Sequence, residues 1–291
     1  MTAKITILCN DKVELFSSYI GEHGFSCFIE TDQGNYLFDT GQGLGIIHNA
    51  LLLNKNLRDI NGIILSHAHY DHTSGLESIL RVTGDNKIYA HPDIFDKKYD
   101  CKKGKTEYTG IRYSVDYLSN LGAEFILNRE FSEIGTGIYL TGEVPRINDF
   151  EQSLTTQFVE HANIRTRDNF KDDNSLAIDT DQGLVIILGC AHAGIINILD
   201  YFTKKLNKKI YAVIGGTHLH PADEHRVKKT IECLKTYDIK KIGTSHCTGS
   251  KEIDIIKAFG NRFFEASVGT KLHIGSDKIG KSIDQGVINH D

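Results

Sequence analysis

The sequence predicts an α/β fold in which short buried strands alternate with amphipathic helices. Three observations carry this expectation. Apolar runs such as Ile63-Ile64-Leu65 and Val185-Ile186-Ile187-Leu188 are too short for helices and rich in β-branched side chains. Segments with apolar residues at helical spacing follow them. Histidine, aspartate and cysteine gather directly after the apolar runs, at the strand ends where ligand sites of α/β folds collect.

In chain order, strands are expected at 5–9, 26–30, 36–39, 63–65 and 87–90. Residues 43–53 read as a helix with Leu44, Ile47 and Leu51 on its apolar stripe. A second helix opens over 75–80, with Thr73 or Ser74 as its N-cap. The later half repeats the alternation, with strands at 176–179, 185–188, 211–214 and 241–244. Its helices fall near 195–205, 224–236 and 250–259. Between the halves, about 99–171 is charged and irregular, with Tyr108, Tyr113 and Tyr117 among its aromatics. Long, poorly patterned stretches in compact domains are often functional. This one reads as an insertion over the active site of a single domain spanning 1–291.

Composition narrows the function. A formal charge of -5 disfavours a broad nucleic-acid surface, so a small-molecule substrate is expected. No apolar run reaches membrane-spanning length. The stretch from Met1 to Asn10 turns polar too quickly for a signal peptide and reads as a first strand. Cys9, Cys27, Cys101, Cys190, Cys233 and Cys247 are dispersed with no CxxC pair. Reduced thiols and a cytoplasmic setting follow as expectations. Oligomeric state is not written in the sequence.

The densest chemistry lies in Ser66-His67-Ala68-His69-Tyr70-Asp71-His72, directly after the run 63–65. Imidazoles and carboxylates are first-choice ligands for zinc, iron and manganese. His67 and His69 are two apart and cannot share a helix face, so they converge on one ion only from a strand end or tight loop. Asp71 and His72 are adjacent and would most easily serve a second ion.

This HxHxDH pattern resembles the signature of the metallo-β-lactamase superfamily. Three later segments extend the resemblance: Gly189-Cys190-Ala191-His192-Ala193-Gly194, Gly215-Gly216-Thr217-His218-Leu219 and His246-Cys247-Thr248-Gly249. With Asp172-Asp173-Asn174, they are similar to the subgroup named after a dihydropterin-ribofuranosylaminobenzene-phosphate synthase. The resemblance covers about 5–269. It implies a four-layered αβ/βα sandwich with two divalent metal ions at its edge, zinc first, with iron or manganese as alternatives. His67 and His69 would bind one ion, and Asp71, His72 and His246 the other. Two places depart from the superfamily pattern. Cys190 stands where an aspartate usually bridges the ions, and the usual third histidine of the first ion is missing. Cys190 could bridge as a thiolate, and Asp173 or His192 could complete the first ion.

The resemblance implies a metal-dependent hydrolase acting on a small substrate, phosphorylated or not, through a metal-activated hydroxide. Asp71 would orient the nucleophile. Asp39, ending the strand at 36–39, would hold a ligand histidine in the right tautomer. His218 is expected as a ligand, a support or a substrate contact, and Arg146 as a phosphate clamp. His91 is expected near the pocket. His23, His48, His161, His220, His225, His273 and His290 are expected as surface or satisfied side chains. Two alternatives stand beside hydrolysis: the synthase reaction itself, a condensation, and a di-iron redox or sensing protein.

Overall fold

A computed structural model describes residues 1–151 and 156–275, so His290 lies outside the described residues. The strands in chain order are β1 (Ala3–Cys9), β2 (Ser26–Thr31), β3 (Gly34–Phe38), β4 (Gly62–Ile64), β5 (Asn86–Ala90), β6 (Lys97–Lys102), β7 (Lys105–Tyr108), β8 (Ala123–Leu127) and β9 (Ser132–Gly135). They continue with β10 (Ile138–Leu140), β11 (Gln157–His161), β12 (Ile164–Arg167), β13 (Ser175–Thr180), β14 (Gly183–Leu188), β15 (Ile210–Gly216), β16 (Lys241–Ser245) and β17 (Lys271–Ile274). The α-helices are α1 (Ile46–Leu52), α2 (Tyr70–Thr73), α3 (Leu76–Thr83), α4 (Val115–Asn120), α5 (Ile195–Leu206), α6 (Glu224–Thr236) and α7 (Glu252–Phe259).

Two large sheets form the body. The first runs β17-β1-β2-β3-β4-β5-β8 and the second β16-β15-β14-β13-β10-β9. A separate sheet, β12-β11-β6-β7, stands apart from both. In the first sheet β3, β4, β5 and β8 are parallel neighbours, and in the second β14, β15 and β16 are. Parallel strands need crossover connections, and α1, α3, α4, α5 and α6 lie in them.

Burial on both faces explains the layering. In β2, Cys27 and Ile29 point into the core between the sheets, while Phe28 joins a second core under α1 and α3. In β14, Val185 and Ile187 enter the central core, and Leu184, Ile186 and Leu188 meet α5 and α6 in a third. Successive side chains of a strand alternate faces, so an all-apolar strand serves two cores at once. The order is helices, sheet, sheet, helices, the αβ/βα sandwich that the resemblance implies.

The expected elements are present, with three local differences. In α1 the buried positions are Ile46, Asn49 and Ala50, while Leu44 and Leu51 are exposed. Asn49 takes an inward place because its amide donates to the carbonyls of Leu8 and Ile20, which an apolar side chain could not satisfy. Neither Thr73 nor Ser74 caps α3; its N-cap is Gly75, with no side-chain cap. The Thr73 hydroxyl instead donates to the His69 carbonyl at 3.0 Å, one turn back. Finally, 99–171 is not one irregular block. β8 joins the first sheet and β9 and β10 the second, leaving β6–β7 and β11–β12 as the separate sheet.

Gly24 shows how tightly the body holds the HxHxDH turn. Its φ is +124°, and a Cβ there would lie 2.0 Å from the Asp71 carbonyl oxygen. Gly24→Ala is expected to destabilise the protein by about 2 kcal/mol or more. Urea unfolding measures this, and a midpoint equal to that of the unsubstituted protein would show that the turn can yield.

Candidate metal centre

The first ligands sit where β4 ends. Asp39 follows β3 in a left-handed backbone conformation, φ +54°. Its carboxylate accepts from the Ser66 amide (2.7 Å), the Ser66 hydroxyl (2.7 Å) and His72 Nδ1 (2.6 Å). Ser66 Oγ also lies 2.8 Å from His67 Nδ1. One buried carboxylate therefore orients two histidines and leaves the Nε2 of each facing inward. The single turn α2 then separates Asp71 from His69 and sets Asp71 and His72 against the second half of the protein.

The second half answers from the ends of β14 and β16. Cys190 and His192 lie on the turn between β14 and α5, and His246 follows β16 directly. Gly189 lets the halves meet, because a Cβ there would lie 2.2 Å from Ser66 Oγ. His192 is clamped from three sides. Its ring stacks on Phe170 at 3.9 Å between centroids. Arg146 Nη1 donates to its carbonyl at 2.8 Å, and the Asp173 carboxylate accepts from the next amide, Ala193, at 2.8 Å.

Four groups of possible ligands result, with the ligand atoms of each within 4.8 Å of one another. The groups are His67–His69–His192, Asp71–His72–His246, His67–His72–Cys190 and Cys190–His218–Cys247. His67 Nε2 lies 3.0 Å from His69 Nδ1, and His72 Nε2 lies 3.2 Å from His246 Nε2. Cys190 Sγ is 3.2 Å from both His72 Nε2 and His246 Nε2. A tetrahedral ion with bonds of about 2.0–2.3 Å would set its ligands about 3.3–3.8 Å apart. His69 Nε2 and both ring nitrogens of His192 are buried without a hydrogen-bond partner. Buried polar atoms are rarely left so, and a cation would satisfy them. The donor set fits divalent zinc, iron or manganese.

Electrostatics agree with that fit. Burial pushes His67 and His192 well below the usual histidine range, and neighbouring histidines push the same way. Burial also lowers His69, to about 4, against the pull of Asp71. These rings are neutral near pH 7, the form that ligates a metal. At His72 burial opposes the charge, but Asp39 and Asp71 outweigh it and raise the group to about 9. Burial works against the Asp71 carboxylate too, yet His72 and His246 hold it below its usual range. Burial pushes the Cys190 thiol well up.

The remaining candidates take other places. Asp173 is in none of the four groups, and burial raises its carboxyl to about 7. It fastens the His192 turn through Ala193, so it does not replace the missing third histidine. Arg146 points at the backbone carbonyls of His192, Asn169 and Phe170 and is spent on them. That geometry makes it a brace for the turn and removes it as a phosphate clamp. His218 does share a group, with Cys190 and Cys247, and stands beside His192, 4.2 Å between centroids, in a left-handed conformation at φ +48°. His91 is buried away from the cleft, bonded to Glu143 and the Asp93 amide.

His23 and Lys98 are among the residues that sequence reasoning missed. His23, expected at the surface, lines the cleft, with Nδ1 on Asp11 at 3.2 Å and Nε2 3.6 Å from Asp71. Its place between β1 and β2 gave no strand-end signal. Lys98 is buried between Asp168 and Asp172 at 2.8 and 2.7 Å, and Asp172 also accepts from the Ala68 amide. A lysine within a charged stretch gave no hint of that.

Above the ligands opens a cleft of about 470 Å³. His69, Asp71, Cys190, His192 and His246 face it from the body, and Tyr108 and Gln157 from the separate sheet.

Comparison with known proteins adds to the geometry. A family model described as the metallo-beta-lactamase superfamily matches residues 20–161. The 7,8-dihydropterin-6-methyl-4-(beta-D-ribofuranosyl)-aminobenzene-5'-phosphate synthase of Methanocaldococcus jannaschii is 35% identical, over 94% of this chain and 95% of that protein. A crystal structure described as a metal-dependent hydrolase of the beta-lactamase superfamily superposes with a TM-score of 0.80 at 28% identity, over 94% of this chain and 100% of that one. Zn(2+)-bound PqqB from Methylobacterium extorquens shares the fold, with a TM-score of 0.56 at 13% identity over 92% and 99% of the two chains.

Two outcomes are expected of this centre. Asp39→Asn removes the charge from the partner of His72 Nδ1, so metal affinity should fall by about 10–100-fold. Competition with a chromophoric chelator reads this, and unchanged affinity would remove Asp39 from the site. A cation at the Asp71–His72–His246 group must also displace the proton that His72 holds up to about 9. Metal affinity should therefore climb as the pH rises toward that value, about tenfold per pH unit for each proton displaced. The same titration repeated across pH tests it, and a flat profile contradicts it.

Proposed function

The chain belongs to the metallo-beta-lactamase superfamily, and on that premise we propose that it joins a dihydropterin to a phosphorylated aminobenzene riboside in a metal-dependent condensation. Kinship to the named synthase along nearly the whole of both chains carries this reading. The sequence reading placed hydrolysis first; that kinship moves condensation ahead of it.

The reading assigns roles to the cluster. His67, His69 and His192 hold one divalent ion, and Asp71, His72 and His246 hold the other, with Cys190 between them. Zinc is the first choice, by the donor set. Bound there, the ions supply Lewis acidity toward a diphosphate leaving group. In the reaction, the arylamine nitrogen forms a bond to the pterin methylene carbon. The carbon–oxygen bond to diphosphate breaks, and the amine proton leaves. Asp71 faces the cleft as the residue placed to orient the amine and take that proton. Asp39 fixes His72, and Arg146, Asp173 and Phe170 fix His192, so the reacting groups meet a preorganised floor.

The separate sheet is the natural cover of the substrate. Tyr108 brings an aromatic wall to the cleft, suited to stacking on a pterin or aryl ring. Lys98 of β6 ties this sheet to the HxHxDH turn through Asp172 and Ala68.

Hydrolysis of a small phosphorylated substrate is the second reading. It is favoured by the likeness to the structure described as a metal-dependent hydrolase. One experiment separates the two. Zinc-loaded protein is incubated with a dihydropterin methyl diphosphate, with and without the aryl ribotide. Condensation predicts a coupled product that needs the amine and falls by about a hundredfold or more in His67→Ala and Asp71→Ala. Diphosphate release at the same rate without the amine would replace condensation with hydrolysis.

A further inference from the structure

The cationic side chains around the cleft differ in how they are engaged. Lys102 pairs with Asp100 at 2.6 Å. Further out, Arg129 pairs with Asp93 and Glu143, and Arg165 with Glu160. Arg146 is held by backbone carbonyls. Arg112 lines the cleft and makes no ion pair among the described residues. Its guanidinium instead lies over the ring of Tyr70, 4.6 Å from the centroid.

Among the described residues no hydrogen bond engages its donors either. A guanidinium carries five N–H groups in one plane. A contact with a ring occupies no N–H in a hydrogen bond to oxygen, so the donors remain available for a planar or tetrahedral oxyanion. Two of them match two oxygens of a phosphate group in a bidentate pair. Tyr70, which holds the guanidinium, stands between the ligand candidates His69 and Asp71 in sequence. Its amide donates to the Thr109 carbonyl at 2.9 Å, three residues before Arg112. The exposed arginine thus meets the metal-binding turn through its side chain, and the segment that carries it is tied to the same turn by the backbone at Thr109. Nearby Glu107 and Asp100 carry the opposite charge, and Asp100 is already occupied by Lys102.

We infer that Arg112, stacked on Tyr70, forms a phosphate subsite of the cleft that receives a phosphate group of the substrate. This deepens the proposed function and rests on its reading of the cleft as a site for phosphorylated ligands. Two groups share the chemistry: the 5'-phosphate of the aryl ribotide and the diphosphate leaving group. The monoester is the expected occupant, because the diphosphate belongs next to the divalent ions. Arg112 would then set specificity for the ribotide over the unphosphorylated riboside.

The test uses zinc-loaded protein, Arg112→Ala and Arg112→Lys, each checked for unchanged metal content. Phenyl phosphate and inorganic diphosphate are titrated by calorimetry. The subsite predicts that Arg112→Ala weakens phenyl phosphate by about tenfold or more, with Arg112→Lys in between. Loss confined to diphosphate would overturn the monoester assignment and give the subsite to the leaving group. Equal affinity of both probes for wild type and Arg112→Ala would overturn the subsite altogether. In the coupling assay, Arg112→Ala should raise KM for the ribotide while kcat stays within about threefold. It should also lose the preference for ribotide over riboside. If no coupled product forms with wild-type protein, the proposed condensation fails, while calorimetry still decides the subsite.

Discussion

Lone pairs without protein partners govern this molecule. His67, His69 and His192 are buried and neutral; Ser66 holds His67 Nδ1, but His69 Nε2 and both nitrogens of His192 have no partner, and one nitrogen of each ring converges with the others. Such an arrangement costs free energy unless a cation fills it. The fold is shaped around it. Both halves bring strand ends to the same edge, and glycine at 189 lets them meet without a side chain between. Asp39, Phe170, Ala191 and His218, all non-glycine, adopt left-handed backbone conformations beside the cluster. Each such residue costs on the order of 1 kcal/mol or more and persists only where the surroundings enforce it. Part of the chain's backbone strain thus lies beside the unsatisfied nitrogens.

The fold was legible because its signal is local. Strands buried on both faces read as short apolar runs, and the helices between them keep a helical period, so their alternation survives in the sequence. Sheet membership does not. β8, β9 and β10 are short and weakly patterned, and only hydrogen bonds to β5 and β13 show that they belong to the body. The Leu44–Leu51 stripe failed for a related reason. Asn49 is buried through bonds to Leu8 and Ile20, distant in sequence, which periodicity cannot register.

The candidate site divides the same way. His67, His69, Asp71 and His72 announce themselves because one turn supplies them all. Asp39 and His246 were legible from their places at strand ends. Arg146 and Asp173 were noticed for their residue types, but their targets are backbone groups of the His192 turn. Chemical type says what a side chain can bind; only packing says what it does bind. His23 reached the cleft by a route that no pattern marks, held by Asp11 across the loop after β1.

Cys190 is where these constraints meet. A bridging carboxylate can span two ions through one oxygen or through two, whereas a thiolate has only one atom to bridge with, at bonds of about 2.3 Å to zinc. A single-atom bridge holds two ions to a narrow range of separations. It also favours softer metals over magnesium or calcium. Burial keeps Cys190 protonated when nothing binds it, so its thiolate depends on the cation it would bridge. Its sulfur lies 3.2 Å from both His72 and His246 and shares a group with His67. The residue that departs from the superfamily pattern thus stands between the two ligand groups. If the two ions bind as proposed, that one sulfur would constrain which metals bind and how far apart they stand.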